Sequence, residues 1–312
     1  MKRGLVVSVG GSKGAYAGGL IEKHIENGVK YDSFYGSSIG SLIVPFVAAS
    51  NIKELKNVFS SIQMDDIFTT NPFKYENQSG GIWKYTISYW NVLKNIVLKK
   101  QSSLGDSSML RNKTIPKYFS EDLYNKIILS DKDLKIMVVN ISTGEVEKKD
   151  IREYTYEQFM DWMWASTCAP PFMSIAEIEN CHYTDGGVLN QVPIKQAITD
   201  GCDEIDVIVL SKEGNDWPIE HIRNSFHYQI KLLLLMMNKI KDHQIDLAYL
   251  SYHANKNIKI NFHYTEKRMT NNSLIFDNEL MMDWWEDGYK YVDNKKYKSY
   301  IINGKTNSYK EI

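Results

Sequence analysis

Tyr35-Gly36-Ser37-Ser38-Ile39-Gly40 is the stretch on which the fold reading turns. It has the form Gly-x-Ser-x-Gly, with Ser38 at its centre. Val29 to Tyr35 in front of it is a short β-prone run, and Ser41 to Ala49 behind it is apolar enough for a buried helix. Strand, tight turn and helix in that order are what a nucleophile elbow requires. A Cβ at either flanking position would crowd the strand or the helix, so glycine lets the backbone bend and pushes the serine hydroxyl into the open. The following helix aims the partial positive charge of its N-terminus at the same point. A glycine-rich helix start capped by serine has the same letters, so the rest of the chain has to decide between the two.

Upstream, Gly4 to Val9 is a β-branched run of the kind found in buried parallel strands. It ends in Gly10-Gly11-Ser12-Lys13-Gly14. Ala15 to Asn27 then reads as a helix closed by Gly28. The order strand, glycine loop, helix, strand, elbow, helix predicts a parallel sheet flanked by helices, an α/β fold. Successive backbone N–H groups in the Gly10–Gly14 loop suit an anion. That anion is a phosphate, or the oxyanion formed when a carbonyl is attacked; the plain alternative is a tight βα turn. Neither Gly-x-x-x-x-Gly-Lys-Ser/Thr nor Gly-x-Gly-x-x-Gly is present, and an elbow one βα unit later favours the oxyanion.

Downstream, Ile52 to Ile62 reads as an amphipathic helix and Thr69 to Gly81 as a loop. Ile82 to Lys100 places Lys84, Ser88, Asn91 and Asn95 at helical spacing, which predicts one helix with a narrow polar stripe. Its broad aromatic and aliphatic remainder packs on the domain or dips into a lipid interface. Leu134 to Ile141 is a strand, followed by a turn at Ser142–Gly144. Lys148 to Tyr156 reads as exposed, and Thr155 to Thr167 as a helix ending before Pro170-Pro171. Asp185-Gly186-Gly187 is an Asp-Gly turn, or a carboxylate held so that it reaches the nucleophile. A helix at 194–199, a strand at 204–210, helical sequence at 222–250, a strand at 257–263 and a helix at 273–291 complete one domain over 1–292. A helical insertion near 60–130 interrupts it, and a Lys/Asn/Tyr-rich tail that frays occupies 293–312.

Composition narrows the function classes. The chain has 312 residues, is 43% hydrophobic and 24% charged, and carries a net charge of −1, which argues against nucleic acid as a partner. Cys168, Cys181 and Cys202 lack metal-ligand spacing and read as reduced thiols of an intracellular protein. The seven histidines form no His-Glu-x-x-His, so no metal or cofactor is expected. The first strand stops at Gly10, too soon for a signal peptide, and no apolar run is long enough for a membrane span.

Taken together, these motifs resemble those of the patatin-like phospholipases, in the family's order. Gly10-Gly11-Ser12-Lys13-Gly14 resembles its oxyanion loop, Gly36 to Gly40 its elbow, and Asp185-Gly186-Gly187 its Asp-Gly-Gly/Ala element. Leu134–Gly144, Ala165–Phe172 and Phe276–Leu280 fit intervening segments, so the resemblance spans most of residues 3–292. Val9 stands where the family's loop usually opens with a glycine. The resemblance implies a three-layer α/β/α sandwich with a mainly parallel central sheet. It implies a Ser38–Asp185 dyad with oxyanion donors at Gly10, Gly11 and Ser12. Lys13 and Gly14 are possible substrate-binding positions, Lys13 either near a headgroup phosphate or holding the loop by a salt bridge. The implied activity is lipid acyl hydrolysis of the phospholipase A or lysophospholipase kind, by a cytoplasmic protein in transient contact with membrane surfaces. The competing readings are an esterase or thioesterase acting on another substrate, and a non-catalytic lipid-binding module.

Overall fold

The computed structural model describes residues 1–79, 81–214, 221–249, 257–293, 298–303 and 308–311. Its strands are β1 Arg3–Val7, β2 Ser33–Ser37, β3 Phe73–Ser79, β4 Ile82–Ile87, β5 Asp133–Asn140, β6 Glu145–Asp150, β7 Ala176–Ile178, β8 Cys181–Asp185, β9 Glu204–Lys212, β10 Asn257–Thr265, β11 Lys298–Asn303 and β12 Ser308–Glu311. All but the β3–β4 hairpin join one sheet, in the order β12-β11-β10-β9-β1-β2-β5-β8-β7, with β6 also paired to β5. The five central strands, from β10 to β5, are parallel; the pairings outside them are antiparallel.

Helices cover both faces, as the alternation along the central strands requires. Leu5 and Val7 of β1, Phe34 of β2, and Ile208 and Leu210 of β9 point into one core. That core is closed by helices α1 Gly14–Glu26, α2 Ile39–Ala48 and α3 Ile52–Ser61, and by the helices Tyr156–Ala165 and Asn278–Asp293. Val6, Tyr35, Ile205, Val207 and Val209 point the other way, into a smaller core shared with Ile194 and Ala197 and with Ile245 and Ala248 of the long helix Ser225–Tyr249. The predicted α/β layering with a mainly parallel central sheet is the fold observed. No described helix is long and apolar enough to cross a membrane.

Four segments differ from the sequence expectation. Residues 73–79, inside the expected Thr69–Gly81 loop, form strand β3, because their backbone pairs with β4. Ile82 to Lys100 is not one helix: 82–87 is strand β4, and helical turns follow at 89–93 and 94–98. The Ile82-Trp83-Lys84-Tyr85-Thr86-Ile87 run also alternates, and antiparallel pairing with β3 selects the extended form. Residues 145–150, charged in sequence, form β6 on the free edge of β5, with Lys149 Nζ lying 3.7 Å above the Trp162 ring. Beyond Asp293, residues 298–303 and 308–311 add two antiparallel strands to β10 instead of fraying. Residues 294–297, 304–307 and 312 of that tail lie outside the described residues.

Candidate active site

Ser38 follows β2 and precedes α2, with φ 55° and ψ −125°. A non-glycine residue held there costs roughly 1–3 kcal/mol, so its surroundings must impose it. They do so by close packing. A Cβ on Gly36 would lie 2.4 Å from the Gly40 backbone, and one on Gly40 would lie 2.2 Å from the Val7 carbonyl oxygen. The Ser38 carbonyl accepts from Ser41 N–H (2.9 Å) and Ser41 Oγ (2.6 Å). Ser38 N–H donates to Ser166 Oγ at 3.1 Å, and Ser166 Oγ donates to the Met137 carbonyl at 2.6 Å.

Asp185 reaches Ser38 because of how β5 is shared. β6 pairs with residues 135–140 of β5, so β2 and β8 must both lie along the opposite edge. There Ser37 pairs with Met137 and Asp185 pairs with the next residue, Val138. The two strands meet end to end, and Ser38 Oγ donates to Asp185 Oδ2 at 2.6 Å. The other carboxylate oxygen accepts from Gly187 N–H at 2.7 Å. Asp185 N–H donates to the Cys168 carbonyl and Gly186 N–H to the Ser166 carbonyl, so residues 166–168 brace both partners. Asp185 is 4% exposed. Burial pushes its carboxyl up to about 7, while the Ser38 hydroxyl and Gly187 N–H pull it back in part. It is the one acidic side chain, among the described residues, lining either cavity at the site, and no histidine lines them.

The first loop faces the same point. Gly11 has φ +55°, and a Cβ there would lie 2.1 Å from the Ser273 carbonyl oxygen. Gly10 and Gly11 line the cavity that holds Ser38 and Asp185, and neither N–H donates to a protein acceptor among the described residues. Ser12, expected as the third oxyanion donor, is engaged elsewhere: its N–H donates to the Ser273 carbonyl at 2.9 Å and its hydroxyl to the same oxygen at 3.1 Å. Lys13 lines the cavity with its Nζ donating to the Leu210 carbonyl. Gly14, expected as a possible substrate contact, lines neither cavity; it packs against Ile39, Ile43 and Phe59, where a Cβ would lie 2.5 Å from Ile39 Cγ1. Sequence reasoning passed over Ser166 and Ser273. The small-residue run before Pro170-Pro171 was the signal for the first, and nothing local marked the second.

Two cavities meet at Ser38. One, with about 800 Å³ of space including its mouth, is lined almost wholly by apolar groups such as Leu42, Phe46, Leu55, Ile115, Phe119 and Met163. The other is mixed, with Lys13, Gln191, Lys241, Asn271 and Asn272 beside Tyr85, Phe172 and Leu234. Elsewhere His24, Asp206 and His263 come together in the interior. There Arg3 Nε donates to Asp206 at 2.7 Å, His263 and Arg3 hold that carboxyl low, and burial lowers His24 to about 4. A guanidinium already serves the carboxylate that a metal would need.

Fold and site define an α/β protein whose elbow serine faces a buried carboxylate at the carboxyl ends of parallel strands. The family model for Patatin-like phospholipase matches residues 5–198, and the chain belongs to that family, whose general activity is hydrolysis of lipid acyl esters. Among solved structures, VipD from Legionella pneumophila is similar at 13% identity and a TM-score of 0.42, over 96% of this chain and 68% of that one. No curated protein sequence matches the chain.

Proposed function

We propose that the chain is a lipid acyl hydrolase of the phospholipase A or lysophospholipase kind, with Ser38 as nucleophile and Asp185 as general base. The observation that carries this is the 2.6 Å Ser38–Asp185 hydrogen bond at the junction of an apolar and a mixed cavity. A serine hydroxyl needs a base, and an ordinary aspartate is too weak for the task. Burial raises Asp185 to about 7, close to the range in which a base both ionises and holds a proton.

The acyl chain enters the apolar cavity and the headgroup side occupies the mixed one, with Lys13 and Asn272 at hand for polar groups. Asp185 takes the Ser38 proton as Oγ adds to the ester carbonyl carbon. The oxygen that gains charge meets the Gly10 and Gly11 N–H groups. Collapse breaks the C–O bond, and the leaving alkoxide receives the proton from Asp185. Water then gives a proton to Asp185 and attacks the acyl-enzyme; the carboxylic acid departs and Ser38 recovers its proton. The three cysteines are free thiols, in keeping with a reducing compartment.

The test is release of fatty acid from phospholipid vesicles, with Ser38→Ala and Asp185→Asn as controls. Each variant is expected to lose activity by ~10³-fold or more while keeping its fold. Turnover is expected to survive chelation of divalent ions, since a calcium site takes six or more oxygen ligands and Asp185 is the sole acid at the cavities among the described residues. Full activity in the Ser38→Ala protein ends the proposal. A preference for short soluble esters over vesicle lipid moves the substrate away from phospholipid.

A further inference from the structure

Two stretches of the chain carry no acidic residue at all: 82–105 and 221–241. The first holds Lys84, Lys94, Lys99 and Lys100; the second holds Arg223, Lys231, Lys239 and Lys241. In a chain whose acids and bases otherwise nearly cancel, both stretches are purely basic. Both also turn large apolar side chains to solvent. Tyr89 is 81% exposed, Trp90 71% and Leu98 73%, with Leu93 and Val97 beside them. Ile222 just before the long helix Ser225–Tyr249, and Phe226, Leu235 and Met236 within it, are likewise exposed. Scattered apolar residues on a surface need no explanation, but consecutive ones on two elements do.

The two elements meet at the site. Tyr85 of β4 lines the mixed cavity that holds Ser38 and Asp185, and so do Ile230, Leu234 and Met237 of the long helix. Phe73 of β3 joins them, packed edge-to-face with Tyr85 and tilted against Phe172. In sequence the exposed apolar residues adjoin residues that wall the cavity: Tyr89 and Trp90 follow Tyr85, and Leu235 and Met236 lie between Leu234 and Met237. Asn271 clamps the hairpin, accepting from Trp83 N–H and donating to the Trp83 carbonyl, both at 2.9 Å. Two residues later Ser273 takes the Ser12 N–H of the first loop, so the hairpin is anchored to the loop beside Ser38.

We infer that segments 82–105 and 221–241 form a docking face that seats the mouth of the Ser38 cavity on an anionic lipid surface. The inference deepens the acyl-hydrolase reading and rests on it. Lys84, Lys99, Lys239 and Lys241 pair with Glu76, Asp106 and Asp242, and the exposed aromatic and aliphatic side chains flanked by Lys94, Lys100 and Arg223 match the boundary between acyl chains and negative headgroups. Lys94, Lys100 and Arg223 stand exposed to meet those headgroups. A lipid drawn partly out of the layer would enter between the hairpin and the long helix without crossing water.

The experiment separates docking from catalysis by measuring binding on the Ser38→Ala protein. Its affinity is measured by co-sedimentation with vesicles of phosphatidylcholine alone and with one-third phosphatidylserine. Three pairs of substitutions are compared: Trp90→Ser with Leu98→Ser, Leu235→Ser with Met236→Ser, and Lys94→Gln with Lys100→Gln. None of these residues lines a cavity. Each apolar pair is expected to weaken binding about tenfold or more on anionic vesicles. The lysine pair should cost about fivefold per charge there and little on neutral vesicles. With Ser38 intact, the same pairs should leave turnover of a short soluble ester within about twofold, and circular dichroism should match the parent. Vesicle affinity unchanged by all three pairs overturns the inference. So does a lipid-independent dimer that the apolar pairs dissolve, which would give the face to a second copy of the chain. Tight anionic binding with no ester turnover in the parent supports the docking face and defeats the catalytic reading.

Discussion

Ser38 and Asp185 are 147 residues apart in sequence, yet their side chains share a 2.6 Å hydrogen bond. The contact is a product of strand register. Ser37 and Asp185 pair with the consecutive residues Met137 and Val138 on one edge of β5. A shift of one residue in either pairing would turn a side chain to the other face of the sheet. The register is fixed by the burial of Phe34, Ile136 and Val138 on one side and Tyr35 on the other. The chemistry of the site is thus tied to the packing of the core.

A base of this kind sets the pH dependence of activity. Asp185 must be ionised to accept the Ser38 proton, and its carboxyl is raised to about 7 by burial. Turnover of a soluble ester, as kcat/KM, is therefore expected to climb tenfold per pH unit up to about pH 7 and then level off. The measurement is a pH–rate profile with a substrate that does not itself titrate. A limb centred near pH 4 would mean that Asp185 is an ordinary solvated carboxylate and not the base.

The same shift acts on stability, with its sign fixed by the direction. Asp185 has a higher pKa folded than unfolded, so its native form keeps a proton that the unfolded chain has lost between pH 4 and 7. Stability from this group is full below about pH 4, falls as pH rises through that window, and is flat above about 7. Asp185→Asn removes the buried charge and keeps an oxygen for the Gly187 N–H. The variant should melt higher than the parent at pH 8, by up to about 4 kcal/mol in unfolding free energy, and converge with it near pH 4. Urea titrations at the two pH values decide the matter; a variant less stable at pH 8 contradicts the assigned burial cost.

How much of this was legible beforehand depended on whether the signal was local. Gly36, Gly40 and Gly11 are needed for contacts or angles set within a few residues or by the adjoining strand, and the sequence displays them as glycine clusters beside β-branched runs. Asp185 stands out as an acid at the end of an otherwise uncharged strand. Hydrogen-bond direction was not local. Ser12 gives its N–H to Ser273, 261 residues on, and no pattern around Ser12 announces it. Segment 82–87 carries both a strand alternation and a helical polar stripe, and pairing with β3 decides between them. Lys148 to Tyr156 reads as exposed because it is charged; within it Lys149 of β6 is buried, lying over Trp162 and near Tyr183.

Ser166 is a positioning residue for the nucleophile. Its hydroxyl links the Ser38 N–H to the Met137 carbonyl, holding the left-handed elbow in place. Ser166→Ala leaves that N–H and that carbonyl without their partner, a loss of about 1–3 kcal/mol for a buried group. Because Ser166 touches Ser38 through the backbone and lines neither cavity, the loss should appear in kcat, by about 10- to 100-fold, with KM little changed. Labelling of Ser38 by a fluorophosphonate should slow in parallel. A rise in KM with kcat preserved would show that the substitution had disturbed substrate binding instead.

The apolar cavity makes a separate prediction about substrate. Leu42 lies on α2 one turn beyond Ser38, and its side chain lines the cavity together with Phe46 and Phe119. If the acyl chain occupies this space, filling it from the wall nearest the nucleophile should shorten the chain that fits. Leu42→Trp adds an indole at a half-buried position, where neighbours can shift without the overpacking cost of a sealed core. Turnover of p-nitrophenyl esters from four to sixteen carbons should then fall by about tenfold or more for the long chains and stay within about twofold for the shortest. An unchanged chain-length profile would place the acyl group outside this cavity, leaving Ser38 to work on a chain that lies in the mixed cavity beside Phe172 and Leu234.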